Sequence, residues 1–405
     1  MEPWPIERIG DLGEVFTGRT PSTEQPSYFG RDYPFITPGD MHQGKCARVT
    51  ERGLSKQGAE LLKRICVPAH SICVSCIGWQ MGEVIMTDRP SFTNQQINTI
   101  VPNAKVEPSF LYYSLRTRKS ELLSLGSATG VRTPILNKSS FCDLKVPLPP
   151  LPTQRRIASI LSAYDDLIEN SQRRIKILES MARGLYREWF VHFRFPGHEN
   201  TRIVDGLPEG WRRGLLEEIA EFKLGKMLDQ DKNRGDLLPY LANINVRWGE
   251  FDLRDLRRMR FEADELETYG LKYGDIVMCE GGEPGRCAIW KEQLPGMMLQ
   301  KAIHRIRCRK NMDHNYLYHS LRHFGQSGHL ATFFTGSTIK HLPREKLAKL
   351  SIVVPPTPLL NNFRDPMISM EGQVYNLQCQ IQNLRRTRDL LLPRLLSGQV
   401  DLKEV

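Results

Sequence analysis

Among residue types able to hold a metal, the run Cys66-x3-His70-x2-Cys73-x2-Cys76 is the first to examine, because thiolate and imidazole ligands at short spacing suit zinc. The segment alternates like a strand, which turns neighbouring side chains to opposite faces, and a later related stretch keeps only Cys279. Buried thiols are the expectation there. His319 and His323 stand one helical turn apart, yet no Glu lies between them in the metalloprotease arrangement. The sequence carries no Walker loop, no dinucleotide fingerprint and no serine-nucleophile elbow. It also lacks the Asn/Asp-Pro-Pro-aromatic tetrapeptide of amino-methyltransferases and a nuclease-like Glu-x-Lys with a suitable upstream Asp. A chain that binds no metal and performs no catalysis of its own is therefore expected.

The chemistry that remains is the reading of base edges. Arg and Lys grip guanine, and Asn and Gln grip adenine, which selects Asn94, Gln95, Gln96, Arg132, Asn243, Asn245, Arg247, Gln300, Lys301 and Lys340. Two glycine-bracketed loops add to them: Gly78-Trp79-Gln80-Met81-Gly82, and Glu280-Gly281-Gly282-Glu283-Pro284-Gly285-Arg286. Paired glycines let a backbone approach a ligand closely, and the side chains between them differ. Trp79, Gln80 and Arg286 join the candidates, with Arg19 and Lys226 beside Gly18 and Gly225. The plainer alternatives are surface turns and phosphate contacts, the commoner use of such side chains.

Charge agrees with a polyanionic partner. The 405 residues carry a formal net charge of +10, and clustered cations gain free energy by displacing counterions from phosphates. With 40% hydrophobic and 25% charged residues the chain reads as globular. The start, Met1-Glu2-Pro3-Trp4-Pro5, lacks a signal-peptide pattern and no apolar run reaches bilayer length, so a cytoplasmic protein without membrane contact is expected. Nine cysteines at irregular spacing suggest reduced thiols.

The elements that must position these residues occur twice. Phe110-Leu111-Tyr112-Tyr113-Ser114-Leu115-Arg116 matches Tyr316-Leu317-Tyr318-His319-Ser320-Leu321-Arg322, an offset of 206 that persists through Thr129-Gly130/Thr335-Gly336, Pro149-Pro150/Pro355-Pro356 and Leu178/Leu384. Trp4/Trp211 and Gly18/Gly225 fall at 207. Copies of about 200 residues indicate a duplicated domain, not a solenoid.

After each Pro-Pro the pattern becomes a heptad seam. The first runs Ile157, Leu161, Tyr164, Ile168, Ser171, Ile175, Leu178, Ala182, Leu185 and Trp189; the second runs Phe363, Met367, Met370, Val374, Leu377, Ile381, Leu384, Arg388, Leu391 and Leu395, with Arg388 its one charged position. Equivalent seams in a duplicated chain are expected to pair antiparallel about a pseudo-two-fold axis, as an intramolecular coiled coil. A helix covering only its own domain is the alternative. Pro366 is expected in the first turn of the second helix, leaving Phe363 just outside it, and Pro393 is expected to end or kink it near Leu392.

The globular parts read as mixed, with strands near Pro34–Thr37, Ser71–Cys76 and Asn98–Val101 and helices over Gly58–Arg64 and Pro108–Leu125. The expected fold class is α+β: two tandem target-recognition domains at 1–150 and 205–356, separated by long antiparallel helices at 151–195 and 357–405.

These residues carry a family resemblance. Val146-Pro147-Leu148-Pro149-Pro150-Leu151-Pro152-Thr153-Gln154 leading into Ile157-Ala158, then Leu185-Tyr186-Arg187-Glu188-Trp189-Phe190-Val191-His192-Phe193, and the closing Leu391-Leu392-Pro393-Arg394-Leu395-Leu396-Ser397-Gly398-Gln399-Val400-Asp401-Leu402 resemble the specificity subunits of type I restriction-modification systems. The family commonly has Glu-Gln where Thr153-Gln154 stands, and Leu359-Leu360 in the second copy is further from the pattern. The resemblance implies a DNA-binding subunit whose recognition domains each read one half of a bipartite double-stranded target. It also implies two methyltransferase subunits and restriction-translocase subunits as partners, with S-adenosylmethionine used by the methyltransferase and no cofactor bound by this chain. From Ile157 to Trp189 is about 48 Å at 1.5 Å per residue, against roughly 34 Å for a duplex turn, enough for a spacer. A coiled-coil DNA-binding or adaptor protein without such partners is the rival reading.

Overall fold

The computed structural model describes residues 4–42, 44–128, 132–229 and 233–400. The chain divides into two compact units, one formed by residues 1–174 with 376–405 and the other by residues 175–375. The boundaries expected at 150/151 and 356/357 would set the helices apart. Contacts give each unit part of both: Ile157, Leu161, Leu392 and Leu395 join the core of the first, and Tyr186, Phe363 and Met367 that of the second.

The first unit contains an antiparallel four-stranded sheet in the order Gly13–Thr17, Ile97–Pro102, Ile72–Ser75, Val84–Met86. A three-stranded sheet follows in the order Arg52–Leu54, Phe29–Ile36, Phe92–Thr93, and Ile6–Arg8 pairs with Lys145–Pro147. The second unit repeats this topology strand for strand. Its four-stranded sheet is Ala220–Leu224, Ile303–Cys308, Ile276–Cys279, Cys287–Ile289; its three-stranded sheet is Arg257–Phe261, Asp236–Leu241, Met298–Leu299; and Arg212–Leu215 pairs with Ser351–Val354. The parallel pairing within the three-stranded sheet recurs too, Phe35 opposite Phe92 and Tyr240 opposite Met298. The duplication read at an offset of 206 is thus a duplication of fold. Thr129-Gly130 of that match lies outside the described residues.

A helix covers each four-stranded sheet, Pro108–Arg116 in the first unit and His314–Gln326 in the second. Glu107 and Asp313 cap them, accepting from the backbone N–H of Phe110 and of Asn315 and Tyr316, which satisfies donors the first turn leaves orphaned. The span expected to be helical over Pro108–Leu125 is two helices, broken before Lys119–Ser127. Gln154 is fully buried and ties the start of the long helix to the sheet: it accepts from Glu107 N–H at 2.9 Å and donates to the carbonyls of Pro149 at 2.8 Å and Lys105 at 3.2 Å.

The long helices span Leu151–Tyr186 and Thr357–Leu396. Within the first unit, Ile157 and Leu161 share a core with Leu392 and Leu395, and Arg388 meets Asp165 at 2.5 Å. Within the second, Trp189 and Phe190 pack on Phe363. In the first unit the helices therefore run in opposite directions. Ile168, Leu377 and Ile381 are buried, whereas Tyr164, Ile175, Leu178, Leu185, Trp189, Met370, Val374, Leu384 and Leu391 are half-buried. The charged interruption of the seam has a partner: Asp165, 11% exposed in its side chain, accepts from Arg388 and, at 2.6 Å, from the Tyr113 hydroxyl.

The expected first-turn place of Pro366 and the expected helix end at Pro393 are corrected. The second helix starts at Thr357, so Pro366 lies inside it and Phe363 is a fully buried helical residue. Burial of Leu359, Leu360, Phe363 and Met367 in one core outweighs a local proline penalty of about 3 kcal/mol. Pro393 does not stop the helix either, since Leu392 and Leu395 anchor its last turn. The chain turns at Gly398, whose φ of +72° and bond from its N–H to Leu395 O make a glycine C-cap. The first helix closes in a π turn at Arg187–Val191.

Candidate nucleic-acid interface

In the first unit, three pieces of chain meet at one end of the four-stranded sheet: the exit of Gly13–Thr17, the exit of Ile72–Ser75 and the entry of Ile97–Pro102. Gly18 is the junction. A Cβ there would stand 2.1 Å from Asn94 O and 2.3 Å from Thr93 O, so only glycine lets Arg19 and the 94–96 turn lie side by side. Arg19 N–H then donates to Thr93 O at 3.0 Å, and the Thr20 hydroxyl donates to Gln95 Oε1 at 2.6 Å. The loop from Gly78 to Gly82 is pinned beside them by Gly78 N–H to Pro134 O and Gly82 N–H to Ser75 O. Both glycines have positive φ, +95° and +88°. Met81 is fully buried beneath the loop, and Trp79, 69% exposed, stands out from it next to Gln80.

The second unit builds the same end from different side chains. Gly225 plays the part of Gly18, its virtual Cβ 2.3 Å from Gln300 O, and Gln300 and Lys301 occupy the turn. The 280–286 loop is closed by bonds from Gly285 N–H to Cys279 O and from Cys279 N–H to Arg286 O. Lys340 enters on the segment 335–342, held by Leu342 N–H to Glu280 O and the pairing of Gly281 with His341. Asn243 reaches the loop through a donation from Nδ2 to Gly281 O at 3.4 Å.

A side-chain clip recurs with changed chemistry. Asn98 accepts from the Thr17 hydroxyl and donates through Nδ2 to Leu136 O at 3.3 Å. At the equivalent place His304, fully buried, bonds through Nε2 to Leu342 O at 2.8 Å. Burial holds the His304 pKa below the ordinary imidazole value, so the ring is neutral and donates from Nε2. A Tyr–Arg pair also recurs on the covering helix, Arg116 donating to the Tyr112 hydroxyl at 3.1 Å and Arg322 to Tyr318 at 2.9 Å. The repeated motif carried that signal; the clips, where Asn faces His, left none.

The structure sorts the expected readers into two groups. Arg19, Trp79, Gln80, Gln95, Arg132, Arg247, Lys301 and Lys340 are exposed, and Gln96, Asn243 and Gln300 are half-buried. Four others already serve the fold. Lys226, equivalent to Arg19, is buried, donates to Arg260 O, pairs with Glu265 and lies 5.2 Å from the Phe261 ring centre. Asn245 is buried with its oxygen on Ala242 N–H and its amide on Asp252 O. Asn94 is buried and folds its own turn through Gln96. The Arg286 side chain, 14% exposed, pairs with Glu283 and donates to Asn243 O at 3.0 Å, bracing the loop. Spacing shows residue type but not whether a local carboxylate or carbonyl takes up the donors.

The cysteines follow the expectation for buried thiols at two positions: Cys73 and Cys76 are enclosed, and burial pushes each pKa up to about 12. Cys66 is half-buried and His70 is exposed. His319 is enclosed by Tyr186, Tyr318 and Phe363, and loss of hydration there, with Arg322, Arg183 and Lys291 nearby, drops its pKa to about 3. Among the described residues no helix is long and apolar enough to cross a membrane.

Comparison with known proteins places this architecture. Residues 1–180 match the family model described as the type I restriction modification DNA specificity domain. The chain is 26% identical to the type I restriction enzyme MjaIX specificity subunit of Methanocaldococcus jannaschii, over 99% of this chain and 94% of that protein. It is 37% identical to the HindI specificity subunit of Haemophilus influenzae over 42% of this chain and 38% of the other. The fold is similar to the crystal structure of a type I restriction-modification S subunit from M. genitalium, with a TM-score of 0.59 at 16% identity, covering 98% of this chain and 99% of that one.

Proposed function

We infer that this chain is a DNA specificity subunit of a type I restriction-modification system. It recognises double-stranded DNA for a restriction-modification complex, and each unit reads one half of a two-part target. The observation that carries this reading is the repetition of one construction at the same sheet end in both units, on side chains that differ. Arg19, Trp79, Gln80, Gln95 and Arg132 face solvent in one, and Lys301, Lys340 and Arg247 in the other. A scaffold kept while its exposed residues change suits two readers of different sequence.

In this reading the chain supplies no catalytic group. Two methyltransferase subunits holding S-adenosylmethionine modify the target, restriction-translocase subunits cut, and the long helices fix the number of unread base pairs between half-sites. Expression of the full chain with its methyltransferase in a host lacking other modification, followed by genome-wide mapping of methylated adenines, tests it. A single bipartite motif is expected. Modification without a motif, or methylation by the purified chain alone, contradicts it.

A further inference from the structure

The outer strand of the three-stranded sheet carries arginine in both units. Strand pairing sets the equivalence one residue away from the 206 offset, which would match Arg52 to Arg258. Phe35 sits opposite Arg52 on one side and Phe92 on the other, and Tyr240 sits between Arg257 and Met298 in the same way. Arg52 and Arg257 are therefore structural equivalents, and both are exposed.

Each has company. In the first unit Arg31, Arg48 and Arg89 line the same open cleft as Arg52, about 830 Å³ in volume. Arg31 rides on an irregularity of its strand, where pairing slips between Phe29 and Tyr33; such bulges re-aim side chains. Arg48 is paired with Glu169 and Arg89 donates to Arg48 O, but Arg31 and Arg52 have no side-chain partner among the described residues. Asp32 and Glu51 also line the cleft, which leaves the arginines in excess. In the second unit Arg258 follows Arg257, is likewise exposed and unpartnered among the described residues, and Arg260 comes next on the same face as Arg258, its guanidinium on Gly235 O.

Guanidinium groups held on a strand without a local acid are suited to phosphate oxygens, which they grip through paired N–H donors. We propose that this side of the three-stranded sheet, through Arg31 and Arg52 in one unit and Arg257 and Arg258 in the other, holds the DNA backbone outside the bases that the sheet end reads. The inference rests on the function proposed above and assigns it a second, sequence-independent contact in each unit.

The test titrates the full chain against a duplex carrying its mapped target and against a scrambled duplex, between 50 and 200 mM salt, for R31A/R52A, R257A/R258A and the corresponding lysine pairs. One phosphate contact contributes about 0.9 to the slope of log Kobs against log salt. Each alanine pair should flatten the slope by about 1.8 and weaken both duplexes equally, about eightfold per arginine at 0.1 M salt, while the lysine pairs restore most of the slope. Unchanged slopes overturn the inference. Loss confined to the target duplex also overturns it, because the arginines would then read bases. Failure of the unsubstituted chain to prefer its target would instead refute the proposed function, a distinguishable result.

Discussion

Removing Arg388 should destabilise the first unit far more than an exposed arginine would. Its guanidinium sits in a seam that is otherwise apolar, 8% exposed, 2.5 Å from Asp165, whose other oxygen accepts the Tyr113 hydroxyl at 2.6 Å. R388M strands the Asp165 carboxylate in that seam with one neutral donor, and breaking a buried pair from one side costs about 3–5 kcal/mol. For a unit of this size, with about 2–4 °C per kcal/mol, the melting transition should fall by about 6–20 °C. Replacing the buried members together, D165L/R388M/Y113F, leaves only the exposed Asp389 of Arg388's partners and should return to within about 1 kcal/mol of the original. Calorimetry on the full chain measures the shifts, and hydrogen exchange over Pro108–Arg116 assigns the affected transition to this unit. A fall below about 3 °C for R388M, or a triple variant as unstable as the single changes summed, would refute the reasoning.

Acid should weaken the second unit before the first. The His319 pKa is about 3 when folded and 6.5 in the ordinary state, so the unfolded chain takes up a proton first and the stabilisation, complete above pH 6.5, shrinks as pH falls; by pH 4.5 a loss on the order of 3 kcal/mol is expected. H319F should flatten that dependence in denaturant titrations, and an unchanged slope would show that other groups cause it. W79A is expected to relax reading of one half-site and R286A, by loosening the 280–286 loop, the other; equal loss at both halves in binding to half-site variants argues against autonomous readers. Inserting seven residues into each long helix, one after Arg173 and one after Tyr375, should lengthen the unread gap in the methylation map and leave the half-site bases as they were, and altered bases would rule out a spacer role.

The sequence made the large features legible because they leave a period or a repeat. Heptads predicted the helices and the 206-residue offset predicted a duplicated α+β unit, since burial of one face forces such patterns. The readings that placed Pro366 in a first turn and ended the helix at Pro393 failed because local preference was set against two cores, one with Phe363 and Met367 and one with Leu392 and Leu395. Among the candidate readers, Arg19 and Lys226 look alike in sequence, yet Glu265 draws Lys226 inward. The partner lies 39 residues away, a distance over which spacing says nothing. The arginine strands were missed for a related reason: the offset that matches Arg52 to Arg258 says nothing of strand edge or exposure.

The Asp165–Arg388 pair has no copy in the other unit. The position matching Asp165 is Glu371, which pairs with Lys291 at 3.2 Å, and the position matching Arg388 is Ala182. Two first halves taken from different molecules, pairing seam to seam, would set each Asp165 against an alanine and leave two buried carboxylates uncompensated. The charge thus discriminates between self and non-self halves: it favours closure of a chain upon itself and penalises assembly of two identical readers, which would recognise a palindrome.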